Sequence, residues 1–117
     1  MHELALAAAV IEIAGTHAAG RTVSGVHVKV GHLRQVVPSA LEFCFELATA
    51  GTPMAGARLE IDQVPAAGAC RGCGRESELD GFPLACSACG SLDVEVIRGE
   101  ELLVDSLELE DEVVVSG

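Results

Sequence analysis

Four cysteines carry the most specific chemistry in the chain: Cys70 and Cys73 in C-R-G-C-G, and Cys86 and Cys89 in C-S-A-C-G. Two residues between the sulfurs of a pair let both turn toward one ion. Gly74 and Gly90, directly after each second cysteine, allow the positive φ that such a turn tends to need. Four soft ligands in tetrahedral reach favour zinc, with iron as a substitute during overexpression. Such an ion has no open position left, so its predicted role is structural rather than catalytic. Free thiols or two disulfides are the bland alternative, disfavoured by the paired spacing and the odd total of five cysteines. Cys44, between Phe43 and Phe45, reads as a buried free thiol acting as a small apolar residue.

Met1, His2 and Glu3 offer a second, weaker signal. A terminal amine followed by histidine can chelate through the Met1 amine, the His2 backbone nitrogen and the His2 imidazole. Nitrogen-rich, near-planar ligation of this kind suits nickel(II) or copper(II) better than zinc. Because His2 is bulky, the initiator methionine is expected to remain. Alone, a histidine at position two also arises by chance and then does nothing. The Glu3 carboxylate has no nucleophile or pocket motif beside it, so acid/base catalysis is not the reading. Its expected roles are to favour positive charge near the site and to interact with a helix N-terminus. His17, His27 and His32 read as solvated residues; His32, in a turn, is the one placed to approach the N-terminus.

These groups are positioned by a modest set of elements. Glu3 to Ala14, rich in Ala and Leu, predicts a helix that is apolar on two sides, with Gly15 and Gly20 bounding a turn. Alternation over Thr22 to Val30 predicts a half-buried strand with Val26, Val28 and Val30 inward. Pro38 opens a second helix that Gly51 stops, with one stripe of Leu41, Phe45 and Ala48 and another of Phe43, Leu47 and Ala50. Arg58 to Val64 is a second strand, Pro65 to Gly68 a linker, and a short alternating piece runs through Val94 and Val96. Glu101 to Leu109 is a third main strand whose apolar residues change face, for which a bulge near Asp105 and Ser106 would account. The expected division is residues 1–66 with 99–112 as the main domain, 67–98 as the metal module and 113–117 as a C-terminal tail.

Net charge is −11 over 117 residues. Residues 1–69 hold six acids and four bases, residues 70–117 twelve acids and three bases. Four thiolates on a zinc ion add about two more negative charges. An acidic surface repels phosphate backbones, so no nucleic-acid partner is expected, and a zinc-ribbon interaction module in transcription or RNA processing lacks its basic face. No apolar run reaches the roughly 18 residues of a membrane span, and the N-terminus lacks the marks of a signal peptide. A soluble, cytoplasmic protein is predicted. No phosphate-binding loop, no nucleophile with a base and no open zinc position point to an enzyme.

M1-H2-E3 at the start, the segment G31-H-L-R-Q-V-V-P-S-A-L-E-F-C-F-E, the strand A57-R-L-E-I, the two knuckles and G99-E-E-L-L-V-D-S-L-E-L-E-D together resemble the HypA/HybF family of hydrogenase nickel-incorporation proteins. The resemblance runs from Met1 to about Glu112. It implies a metallochaperone that delivers Ni(II) to the large subunit of nickel-iron hydrogenase, acting with a HypB-type GTPase. It implies a mixed α/β (α+β) fold: two helices packed on a small three-stranded sheet as the nickel domain, with the zinc-ribbon-like four-cysteine module inserted before the final strand. Carried over by residue, His2 is the nickel ligand with Met1 and Glu3 as amine and backbone contributors, while Cys70, Cys73, Cys86 and Cys89 hold Zn(II). A zinc-ribbon interaction module without nickel function is the alternative. The oligomeric state, a homodimer included, and the choice between hydrogenase and urease as recipient stay open.

Overall fold

The computed structural model describes residues 2–110 and the backbone of Val113–Val115. The chain divides into two compact units, one of Met1–Lys29, Val36–Asp62 and Leu103–Gly117, the other of Val30–Gln35 and Gln63–Leu102. The elements run α1 (His2–Ala18), β1 (Val23–Gly31), a 3-10 turn (His32–Arg34), α2 (Pro38–Thr49), β2 (Arg58–Val64), β3 (Ala66–Cys70), β4 (Glu76–Leu79), β5 (Val94–Arg98), β6 (Leu102–Leu109) and β7 (Val113–Val115). No helix among the described residues is long and apolar enough to cross a membrane.

α1 is longer than predicted. It passes through Gly15 and ends only where Ala19 and Gly20 take up positive φ. Gly15 keeps helical backbone here and does not end the helix; a Cβ at this position would meet the Met54 side chain only at 3.6 Å, an ordinary contact. Leu6, Ala7, Val10 and Ala14 face the core. α2 starts at Pro38, as its fixed φ favours, and buries Leu41, Phe45 and Thr49. Its second predicted stripe points to water, with Phe43 60% and Leu47 61% exposed.

The first sheet has the order β2-β1-β6-β7. It holds four strands rather than three, because Val113–Val115 pairs antiparallel with β6 instead of forming a tail. The remaining tail residues, 116 and 117, lie outside the described residues. Val23, Val26, Val28 and Val30 of β1 fill the core. In β6 the buried side chains change face between Val104 and Leu107, at the Asp105–Ser106 step where the sequence shows the break.

Of the second sheet, β4-β3-β5, periodicity shows only β5, the alternating piece through Val94 and Val96. The central strand of the sheet is Ala66–Cys70, much of which reads as linker, because alanine and glycine show no two-residue hydrophobic rhythm. Their smallness is the reason they sit there: a Cβ on Gly68 would overlap Val94 and crowd Leu79 from the flanking strands. The same unit takes in the distant His32–Arg34 turn. The Leu33 amide donates to the Gly99 carbonyl (2.8 Å), the Gly31 amide donates to the Glu101 carbonyl (2.7 Å), and Arg34 Nε donates to the Glu100 carbonyl (2.8 Å). Leu33 joins Ala66 and Leu79 in a small core completed by Leu84, Val94 and Val96. A Cβ at Gly31 would overlap the backbone of Gly99, so only glycine allows this approach.

One carboxylate ties the two helices. Glu3 is buried in the first turn of α1, and its Oε2 accepts the amide of Val37, the N-cap residue of α2 (3.1 Å). The chain's α-amino group first, and the Val37 amide second, hold the carboxyl at about 2.

Two predictions follow from these contacts. Leu33→Ala, which leaves every cysteine in place, is expected to lower the unfolding free energy of the four-cysteine unit by about 2 kcal/mol in urea titration. The Glu3 carboxyl is lowered in the folded state, so its contribution to stability is full above about 4.5 and disappears as pH falls toward about 2. The stability difference between the parent chain and Glu3→Gln should therefore be largest near neutrality and shrink over that window; a difference independent of pH would contradict the assignment.

Candidate metal centres

The two knuckles repeat the same backbone pattern. The Cys70 amide donates to the Arg75 carbonyl and the Cys86 amide to the Ser91 carbonyl, both 2.8 Å. The Gly74 amide returns to the Cys70 carbonyl (2.9 Å) and the Gly90 amide to that of Cys86 (2.8 Å). Gly74 and Gly90 sit at φ 76° and 79°, the positive values their spacing predicts. Each loop thus turns its two sulfurs the same way.

The four sulfurs come together. Cys70 and Cys89 are 3.6 Å apart, Cys73 and Cys86 3.7 Å, and all four lie within 4.8 Å of one another. A zinc ion with sulfurs at about 2.3 Å has tetrahedral edges of about 3.8 Å, so the donor set fits that ion in both chemistry and size. The first cysteine of each knuckle is buried and the second exposed. The Cys73 amide, at 3.4 Å from Cys70 Sγ, is the main influence lowering the Cys70 thiol. The amides of Cys89 and Ala88 bring Cys86 down to about 6. At Cys89 the Ser91 amide works toward the thiolate, but the sulfurs of Cys70 and Cys86 outweigh it and push the thiol up to about 11. Crowded thiols cannot all ionise unless a cation joins them, and the amides aimed at Cys70 and Cys86 favour the form a metal binds.

Sequence reasoning missed the clamp that joins the knuckles. The Arg71 amide donates to the Asp93 carbonyl (2.9 Å), and its guanidinium reaches the Asp93 carboxylate (2.9 Å) and Glu95 (3.5 Å). Both acids stand out only as part of the charge count, and these exposed pairs are worth little individually.

Met1 lies outside the described residues. His2 is in the first turn of α1 rather than on a loose end, with its side chain 48% exposed and Nε2 3.8 Å from the Glu3 carboxylate. First-turn amides have no acceptor in the ladder of α1, which leaves the His2 nitrogen unused by it, while the Glu3 amide donates to the Glu3 carboxylate.

The other histidines are dispersed. His17 stands in the last turn of α1, about 22 Å along the axis from His2 at about 1.5 Å per residue, and not in the turn expected between Gly15 and Gly20. His27 Nε2 is 3.1 Å from Glu60 on the outer face of the first sheet. His32 Nε2 lies 2.9 Å from the Asp80 carbonyl, a contact within the four-cysteine unit. Cys44 is a free, half-buried thiol.

Comparison with known proteins sets this geometry in context. A family model described as hydrogenase/urease nickel incorporation, metallochaperone, HypA matches residues 1–109. The hydrogenase maturation factor HypA of Geobacter metallireducens is 46% identical over 110 residues, covering 94% of this chain and all of that protein. The factor of the same name from Nostoc punctiforme is 40% identical over 111 residues, covering 95% and 97%. The solution structure of the Ni metallochaperone HypA from Helicobacter pylori shares the fold at a TM-score of 0.66 and 22% identity, covering 93% of this chain and 97% of that one. The match from residue 1 through both knuckles places this chain in the HypA family of hydrogenase/urease nickel-incorporation metallochaperones.

Proposed function

We propose that the nickel this carrier handles is bound at His2, through its imidazole and backbone nitrogen, with the Met1 amine and the Glu3 backbone completing a nitrogen-rich set. As a metallochaperone the chain is a carrier and not an enzyme. The observation that carries the site assignment is the setting of His2: an exposed imidazole on a helix's first turn, whose own backbone nitrogen is not needed by the helical ladder. A helix N-terminus by itself disfavours a cation. The buried Glu3 carboxylate beside it, and the proton lost from each ligating amide, offset that field.

The unit holding α1 and α2 is then the nickel carrier and the four-cysteine unit its structural companion. In that companion Cys70, Cys73, Cys86 and Cys89 hold Zn(II), which supplies a cross-link and no open coordination position. Delivery to the large subunit of a nickel-iron hydrogenase, with a HypB-type GTPase and in the cytoplasm, is the setting that hydrogenase maturation calls for. A partner that displaces one nitrogen from an exposed chain end can take the ion quickly, whereas an enclosed site would release it slowly.

His2→Ala should weaken nickel binding at least about 100-fold in calorimetric titration while the protein keeps one zinc by elemental analysis. An N-terminal extension that buries the amine in a peptide bond should do the same; unchanged nickel affinity in the extended protein would reject the site. Cys73→Ser should instead lose zinc and melt the four-cysteine unit, read as lost amide dispersion over Gln63–Leu102, with α1 still helical.

A further inference from the structure

The outer edge of β2 borders a groove that neither metal site uses. It encloses about 790 Å³ between β2 and α2. Phe45 and Leu59 form its floor, and Leu47 stands exposed at its rim. Glu42 and Glu46 line the helix wall and Glu60 the strand wall. Arg58 is the one base there, and its guanidinium is taken by Glu60 and Glu108.

β2 ends the sheet order β2-β1-β6-β7, so its outer backbone donors and acceptors have no ladder partner among the described residues. Proteins guard such edges with charge. Here the guard is selective: Glu60 and Asp62 alternate with the inward Leu59 and Ile61, and they repel an acidic strand while attracting a basic one. A second copy of this chain, itself at −11, is a poor occupant.

We propose that this groove receives an extended basic segment of another protein, added along β2 as a further strand. Alternate residues of that segment are apolar and lie over Phe45 and Leu59. The intervening ones are lysine or arginine and sit beside Glu60 and Asp62, while Glu42 and Glu46 draw in flanking cations. Main-chain hydrogen bonds supply affinity and the alternating pattern supplies specificity. The surface is separate from His2 and does not rest on the nickel assignment.

The test uses the full zinc-loaded chain, labelled with 15N, and a decapeptide of strictly alternating valine and lysine. A control peptide has the same residues ordered in Val-Val-Lys-Lys pairs. The expected result is saturable amide shifts confined to α2 and β2, with the control at least about tenfold weaker. The double variant Glu42→Lys/Glu46→Lys should lose about tenfold in affinity, while Glu76→Lys/Glu78→Lys, the same charge change on the exposed positions of β4, should stay within about twofold. Equal affinity for the two peptides, equal loss in the two double variants, shifts centred elsewhere, or no binding would each overturn the proposal.

Discussion

Four sulfurs share a volume too small for four thiolates to occupy without a cation. The rest of the four-cysteine unit depends on that constraint. Its sheet is built on alanine and glycine, its core is Leu33, Ala66 and Leu79 with three partly buried neighbours, and the chain has no tryptophan or tyrosine. A core of that size cannot by itself offset the entropy of ordering the unit. A metal cross-link between two knuckles closes the loops that the apolar contacts cannot, and the amides directed at Cys70 and Cys86 ready those two sulfurs for it.

The two metal sites answer opposite demands. The cysteine site is enclosed by four donors on two rigid loops and leaves no position for exchange. The proposed nickel site takes most of its donors from the main chain at the start of α1, where imidazole and amine can be replaced by an incoming ligand. Glu3 reconciles exposure with order: its carboxylate is buried and bonded to the head of α2, so the turn bearing His2 is fixed while the imidazole remains in water.

Much of this was legible in the residues. The cysteine spacing and its glycines announced the knuckles, and hydrophobic period located α1, β1, α2 and β2. What failed to show did so for identifiable reasons. β3 lacks side chains large enough to make a pattern, and β4 is mostly polar, with only Leu79 buried. Gly15 reads as a helix stop, but α1 passes through it and ends only at Ala18. The attachments of Leu33 to the zinc unit and of Glu3 to Val37 join residues more than thirty positions apart, and local propensity carries no information about such pairs. The exposed Phe43 and Leu47 were visible as a stripe, but which of the two stripes on α2 would meet the core depended on the sheet.

The place of β6 in the first sheet bears on how the chain emerges from the ribosome. β6 lies between β1 and β7, yet α2, β2 and both knuckles are translated between β1 and β6, and Gly99, which receives the Leu33 amide, comes only just before β6. Until β6 emerges one side of the valine-rich β1 is therefore bare, and Leu33 waits for its acceptor. A nascent chain in that state carries an adhesive strand that only β6 can cover. Loss of β6 would leave that side of β1 open for good.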